Sequence, residues 1–211
     1  SAAACGGGSS PGQSGQPAPA ATAAPSAPVN ADKNAYPVFL NADEGADPAV
    51  PAAQGGKGFT GEGWETNTEF DLIGDPRAVK GGLLREYVLD FPGTLRVEGP
   101  ESNTALNYMI GPMVYESLLN IHPTTLDYIP ALATHWQISA DKSTYRFRIN
   151  PNAKWADGQP VTAEDCIASL KRWGARDSTG VKMLSFVSSF EPVNDKTFKI
   201  ILKEPYGLLI D

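Results

Sequence analysis

The chain begins with a long stretch that cannot form a hydrophobic core. Its first 35 residues are almost entirely Ala, Gly, Ser, Pro and Gln, and they include no aromatic residue. Such a stretch buries too little apolar surface to offset the conformational entropy that is lost when it becomes ordered. We therefore expect residues 1–35 to be a flexible tether and the folded part of the chain to lie further along.

Residues 36–80 are intermediate in composition. Aromatic residues such as Phe59 and Trp64 are scattered through them, glycine is frequent, and no hydrophobic period is sustained. Two interpretations stay open for this stretch. It is either an irregular arm that lies over a folded domain or plain disorder.

Residues 81–211 carry the patterns of a mixed α/β domain. Strands are predicted at Leu83–Val88, after two glycines, and at Thr144–Ile149, where large apolar and polar residues alternate. In the second strand Arg146 and Arg148 share the polar face, and a solvated face is the default interpretation of that pair. Phe186–Val193 and Thr197–Lys203 are predicted to form a hairpin.

Two helices are predicted in the same region. Ser102 or Asn103 is expected to cap the first, whose apolar face is spaced by four: Leu106, Ile110, Val114 and Leu118. Gly111-Pro112 predicts a kink in it or a division into two short helices. The second helix is predicted at Ala163–Trp173, opened by a capping box at Thr162–Asp165.

Composition excludes several classes of protein. The chain has 17 basic and 24 acidic residues, a net charge of -7, which argues against a nucleic-acid binder. With only two cysteines it is not a disulfide-stapled mini-protein, and no apolar run is long enough for a transmembrane helix. We expect a monomer that binds no nucleic acid.

No catalytic or metal-binding pattern is found. His122 and His135 are too far apart in the sequence for a zinc site, so structural or surface roles are expected. Glu164-Asp165 fits the negative charge favoured in a first helical turn, and Cys166 is expected to be a buried, apolar-like residue. We therefore assign no catalytic residue, no metal ligand and no cofactor.

Cys5 is the candidate for lipid attachment. It follows the small residues Ser1–Ala4 and precedes a Gly/Ser run, Gly6–Ser10. This arrangement resembles the end of a bacterial lipoprotein signal peptide, although Ala2 stands where Leu is usual. The alternative is a lone cysteine in a low-complexity leader. A lipid on Cys5 would hold the protein on a membrane surface without any spanning helix.

Four consecutive runs carry a family resemblance: Val114–Leu119, Ile129–Trp136, Ser139–Ile149 and Lys154–Asp165. Their order resembles family 5 of the bacterial extracellular solute-binding proteins, which serve as peptide, dipeptide and nickel receptors of ABC importers. Asn150 and Ala156 depart from the family's usual residues. Taken as residues alone, Trp136, Tyr145, Phe147 and Trp155 are expected to share one core, and Asp157-Gly158 is expected to form a turn.

The resemblance implies a fold and a role. The fold is α/β, a type II periplasmic-binding-protein clamshell, of which residues 81–211 would be the start of lobe I with its inserted α/β subdomain. The role is to bind peptides or similar small solutes outside the cytoplasmic membrane, as a membrane-anchored lipoprotein, and to deliver them to importer permease subunits. A secreted surface interaction or signalling module with the same fold stays open, and a hydrolase is a third, poorer option.

The candidate ligand residues are Pro100, Glu101, Ser102 and Asn103. Ligands of open α/β sheets bind beyond the carboxyl ends of strands and near helix N-termini, and the predicted strand Leu83–Val88 leads to this loop. The resemblance places the same region in the cleft wall. The alternative is that these residues only cap the helix.

The chain has no initial Met, and its last residues stop within a pattern. We therefore expect the natural protein to be longer and the second lobe to lie outside this chain. On that basis the 211-residue chain alone should bind no peptide measurably. Calorimetry that shows tight peptide binding by this chain would contradict the expectation.

Overall fold

The computed structural model describes residues 46–71, 73–75, 77, 79, 81–176, 178–206 and 209. In chain order these residues form a 3-10 helix (Ala52–Gln54), α1 (Ala105–Val114), β1 (Leu119–Ile121), β2 (Tyr128–Pro130), β3 (Ala133–Ile138), β4 (Thr144–Ile149), α2 (Ala163–Arg176), α3 (Ser178–Leu184), β5 (Val187–Asn194) and β6 (Thr197–Leu202). None of the helices described is both long and apolar enough to cross a membrane. The predicted tether and Cys5 lie outside the described residues, and the domain boundaries after residues 35 and 80 stay predictions.

The central element is a four-stranded antiparallel sheet. Its strand order is β3-β4-β6-β5, while β1 and β2 form a separate two-stranded sheet. The predicted hairpin is confirmed as β5 and β6, with Asn194 opposite Thr197 and a tight turn between them. The Asn194 side chain accepts a hydrogen bond from the Lys196 amide at 2.8 Å, which stabilises that turn.

One face of this sheet packs against α2 and forms the core. Every second residue of β4 and β6 points into it, as the alternation predicted. The buried apolar side chains include Trp136, Tyr145, Phe147, Ile149, Phe198, Ile200, Leu202, Cys166 and Ile167. The rings of Phe147 and Phe198 stack at 5.6 Å between centroids, which joins the two central strands across the core.

A reciprocal cap begins α2, as the capping box predicted. Thr162 Oγ1 accepts a hydrogen bond from the Asp165 amide at 3.2 Å, and Asp165 Oδ2 accepts one from the Thr162 amide at 2.9 Å. Two amide groups that lack partners within the helix are thereby satisfied. The pKa of the Asp165 carboxyl is lowered, chiefly by the hydrogen bond from the Thr162 backbone. The helix ends at Arg176, slightly beyond the predicted Trp173.

The prediction for Trp155 was wrong. Its side chain is 46% exposed and stands apart from the buried Trp136, Tyr145 and Phe147. Trp155 Nε1 instead donates to Asp165 Oδ2 at 3.3 Å. The exposed indole therefore supports the carboxylate that caps α2. The turn at Asp157-Gly158 is confirmed, because Gly158 has φ +86° and the Asp157 carboxylate accepts from the Gln159 amide at 2.9 Å.

Two further predictions N-terminal to the sheet were wrong. Leu83–Val88 does not form a strand, because this run pairs with no other strand among the described residues. Its first residue, Leu83, is 77% exposed. The first helix ends at Val114, short of Leu118, two residues after Pro112. Its predicted apolar face is not buried either. Val114 is exposed and Leu106 and Ile110 are only partly covered.

The other face of the large sheet is covered by residues 47–71, which we call the arm. Glu65 and Trp136 exchange two backbone hydrogen bonds, at 2.7 and 3.0 Å, so the arm pairs with edge strand β3. The Glu65 carboxylate also accepts from Trp136 Nε1 at 3.1 Å. Further along the arm, Thr66 Oγ1 donates to the Thr134 carbonyl at 2.9 Å. The arm thus protects an edge that would otherwise expose unpaired backbone groups.

The arm also buries Arg148, which corrects the expectation of a solvated strand face. Arg148 is fully buried, whereas Arg146 on the same face is exposed. Arg148 Nε donates to the Gly55 carbonyl at 3.1 Å, and the guanidinium lies 4.5 Å from the centre of the Phe59 ring. Hydrogen bonding and a cation–π contact therefore compensate a charge that burial would otherwise penalise.

The arm reaches the sheet this closely because of Gly55. Gly55 and Gly58 both have positive φ, +89° and +80°. A Cβ on Gly55 would lie 2.7 Å from Thr197 Oγ1, whereas a Cβ on Gly58 would meet nothing closer than the Ala52 Cβ at 3.9 Å. We predict that Gly58→Ala costs about 1 kcal/mol in the free energy of unfolding, from backbone strain alone. Gly55→Ala should cost at least about 1 kcal/mol more, from overpacking.

Urea unfolding of both variants checks this prediction, with Gly58→Ala as the matched control for strain. Equal losses of stability in the two variants would show that the arm does not approach Thr197 as described.

Candidate ligand-binding loop

The four candidate ligand residues lie in a loop directly before α1. Pro100, Glu101 and Asn103 are exposed, and Ser102 is partly buried. Glu101 has φ +63°, a left-handed conformation that is uncommon for residues other than glycine. Ser102 Oγ donates to the Gly99 carbonyl at 2.7 Å, which closes a tight turn around Glu101. Strained backbone of this kind often occurs where a loop presents a side chain to a ligand.

Helix capping does not explain these residues. The cap of α1 is Thr104, whose Oγ1 accepts a hydrogen bond from the Asn107 amide at 3.3 Å. The prediction that Ser102 or Asn103 caps this helix was therefore wrong. Thr104 was overlooked because three cap-forming side chains follow one another, and the local pattern does not show which of them precedes the first helical residue.

No sequence pattern indicated the role of Asn107, which joins this loop to the helix. Its side-chain Nδ2 donates to three backbone carbonyls: those of Thr94 at 3.0 Å, Arg96 at 3.1 Å and Ser102 at 2.9 Å. Asn107 is only 4% exposed. A polar residue inside a predicted helix is usually assigned to the solvent side, so pattern analysis could not have singled it out.

The loop presents polar side chains. The Glu101 carboxylate can accept hydrogen bonds or attract a cation, and Ser102 and Asn103 supply polar side chains. Across the described residues, no three His, Cys, Asp or Glu side chains group closely enough to hold a metal ion. Burial, and next the nearby Asp165 carboxylate, raise the pKa of the Cys166 thiol to about 11, so it stays protonated and is a poor nucleophile.

Both histidines have structural positions. His122 is 2% exposed, and its Nδ1 accepts hydrogen bonds from the amides of Thr124 and Thr125, at 3.3 and 3.1 Å. The proton is therefore on Nε2, which donates to the Asp71 carbonyl at 3.0 Å and ties the end of the arm to the β1–β2 turn. The expected structural role is confirmed for His122.

His135 lies beneath the arm, opposite Arg148 in the neighbouring strand. Its ring meets the Phe59 ring edge to face at 4.8 Å, and its Nδ1 is 2.9 Å from Thr134 Oγ1. Burial first, and then the positive charge of Arg148, lower the pKa of His135 to about 4. A neutral imidazole is therefore required where the arm packs on the sheet.

This geometry predicts a pH dependence of stability. The folded pKa of His135 is about 4, below its ordinary value of 6.5, so the unfolded chain binds the proton more tightly. The stability that a neutral His135 provides is complete above pH 6.5 and is lost as the pH falls through 4. Full loss amounts to about 3 kcal/mol.

The variant His135→Asn isolates this contribution, because it keeps a polar group near Thr134 but does not titrate. Urea unfolding of both proteins at pH 7 and pH 4.5 should show a steeper loss in the wild type. Parallel losses in the two proteins would mean that His135 does not titrate beneath the arm.

Two shallow depressions lie on the β5–β6 hairpin. One, of about 240 Å³, is bordered by Thr162, Glu164 and the hairpin turn. The other, of about 320 Å³, is bordered by Arg146, Lys199 and Glu191. In the second depression Lys199 and Glu191 form an ion pair at 2.7 Å, so each of these two side chains already has a charged partner. Neither depression includes a candidate ligand residue.

Comparison with known proteins finds one matching family and several relatives. Residues 127–210 match the model of the bacterial extracellular solute-binding proteins, family 5 middle region. The chain is 38% identical over 96 residues to a probable peptide ABC transporter periplasmic-binding protein of Sinorhizobium fredii. That match covers 46% of this chain and 18% of the relative. This chain is also 51% identical over 43 residues to a dipeptide-binding protein of Bacillus subtilis. That match covers 20% of this chain and 8% of the Bacillus subtilis protein.

The fold has a counterpart among solved structures. A periplasmic murein tripeptide-binding protein, in its unliganded open form, superimposes with a TM-score of 0.50 and 24% identity. The superposition covers 58% of this chain and 27% of that one. The described residues therefore form part of an α/β fold of the type II periplasmic binding proteins. Residues 127–210 are thus similar to family 5 of the extracellular solute-binding proteins, the family that the order of the sequence motifs resembles.

Proposed function

We propose that the protein is the substrate-binding component of an ABC importer that takes up peptides or similar small solutes. The observation that carries the proposal is the 38% identity over 96 residues to a probable peptide ABC transporter periplasmic-binding protein. The chain spans 18% of that relative's length, so the ligand and the importer are inferred for the whole protein. The name of this relative, an ABC transporter component, favours transport over a surface signalling module.

The mechanism would be reversible binding without covalent chemistry. Two lobes would close on the solute, and closure would shift the population towards the form that the permease recognises. Extended peptides suit such a cleft because their backbone groups can be held by strand-like hydrogen bonds while pockets accept varied side chains. The partners would be the solute and the permease subunits, and we expect a monomer.

We further propose that Pro100, Glu101, Ser102 and Asn103 form part of the cleft wall. Their exposure, the left-handed backbone of Glu101 and the assignment of the helix cap to Thr104 support this role. Glu101 would accept hydrogen bonds from a ligand amide or ammonium group. Cys5 would carry the lipid that places the protein at the outer face of the cytoplasmic membrane or in the periplasm.

Native mass spectrometry of the full-length protein, purified without denaturation, tests the proposed function. A bound peptide or a comparable small solute is expected to co-purify with the protein and to be identified after it is released. Full-length protein that carries no solute, and shows no heat of binding with an equimolar pool of tripeptides, would contradict the proposal.

The role of the loop has its own test. Glu101→Gln should weaken binding of the released solute about 10-fold, because a charged acceptor is replaced by a neutral one, a change of about 1.4 kcal/mol. Glu204→Gln is the matched control, since Glu204 is an exposed carboxylate that follows β6. Equal affinities of the two variants, measured by calorimetry, would show that Glu101 does not line the cleft.

A further inference from the structure

Asn107 connects the candidate loop to the first turn of α1. We propose that Asn107 is a positioning residue. It holds the backbone of residues 94–102 in the shape that presents Glu101 to the ligand. This inference rests on the proposed function, because it assigns Asn107 to the same cleft wall. Asn107 itself is buried and would act only through the loop.

The hydrogen bonds of Asn107 tie together three separate points of the loop. Its Nδ2 group lies within 3.1 Å of the carbonyl oxygens of Thr94, Arg96 and Ser102. An amide has only two N–H hydrogens, so at least one of them is shared between two carbonyls. Its Oδ1 makes no hydrogen bond with the described residues, so the amide is oriented through its nitrogen alone.

Apolar packing does little to hold this loop. Asn107 is the buried residue of α1, while Leu95 in the loop is 64% exposed. One close apolar contact joins loop and helix, where Val97 lies against Gly111 so tightly that a Cβ there would come within 3.3 Å of it. The loop therefore depends on hydrogen bonds, and three of them converge on a single side chain.

The position of Glu101 depends on that arrangement. Glu101 holds a left-handed backbone conformation, which persists only where the surroundings determine it. The next residue, Ser102, is fixed by its carbonyl to Asn107 and by its hydroxyl to Gly99. The Glu101 carboxylate lies over Gly93, where an added Cβ would come within 3.0 Å of Oε2. Loss of the Asn107 donors would free the loop to relax and would move this carboxylate.

The variant Asn107→Asp tests the inference because it keeps the side chain's shape but removes both donors. An oxygen would then face three carbonyl oxygens, which is repulsive. Hydrogen exchange of backbone amides in residues 94–104 should become at least about 10-fold faster, while β4 and β6 keep their protection. Asn120→Asp is the matched control, because Asn120 is an exposed amide on β1 and its replacement adds the same charge.

Binding gives the second readout, on full-length protein with an equimolar pool of tripeptides. Asn107→Asp should weaken binding about 10-fold at pH 8, relative to wild type at the same pH. This loss of affinity should become smaller towards pH 5. When the introduced carboxyl is protonated, it again has one donor for the loop carbonyls. A role limited to overall stability would instead speed amide exchange in β4 and β6 as well, and Asn120→Asp should bind like the wild type.

The outcomes separate this inference from the proposed function. Unchanged exchange in residues 94–104 overturns the positioning role, whatever the affinity. Faster exchange with unchanged affinity also overturns it, because the loop would then not line the ligand. Wild-type protein that binds no peptide of the pool contradicts the peptide-binding function, while the exchange rates still decide whether Asn107 holds the loop.

Discussion

The burial of Arg148 is the interaction on which the outer half of this structure depends. A buried guanidinium is costly unless hydrogen bonds and aromatic contacts replace its hydration. Here the carbonyl of Gly55 and the ring of Phe59 provide such contacts, and both belong to the arm. The arm has no hydrophobic period of its own. It becomes ordered because it contacts Arg148 and pairs with the edge strand β3. Burial beneath the same arm, and next the positive charge of Arg148, lower the pKa of His135.

The sheet therefore has two different faces. The inner face is a conventional apolar core closed by α2, and its stability follows from buried area and a well-formed helix cap. The outer face is held by specific polar contacts with the arm. The candidate ligand loop lies apart from both faces and depends on a few hydrogen bonds around Asn107.

Local patterns predicted the elements whose partners are close in sequence. The alternation in Thr144–Ile149 and in Phe198, Ile200 and Leu202 gave the central strands and their core face, and the capping box gave the start of α2. Arg148 was misassigned because its partner Gly55 is far away in the chain, and no local pattern records such a contact. Leu83–Val88 shows the converse error, since a strand-like run does not form a strand without a neighbour to pair with. The loop residues could be nominated from the sequence, but Thr104 and Asn107, which shape the loop, could not.

The arm is an integral part of the fold. The reciprocal backbone hydrogen bonds between Glu65 and Trp136 offer the most direct test, because they join the arm to β3. Residue-resolved amide hydrogen exchange of the chain near neutral pH should find both amides protected to the same extent as those of β4. Exchange of the Glu65 amide at the rate of an unstructured peptide, with β4 and β6 still protected, would show that the arm is not part of the folded structure.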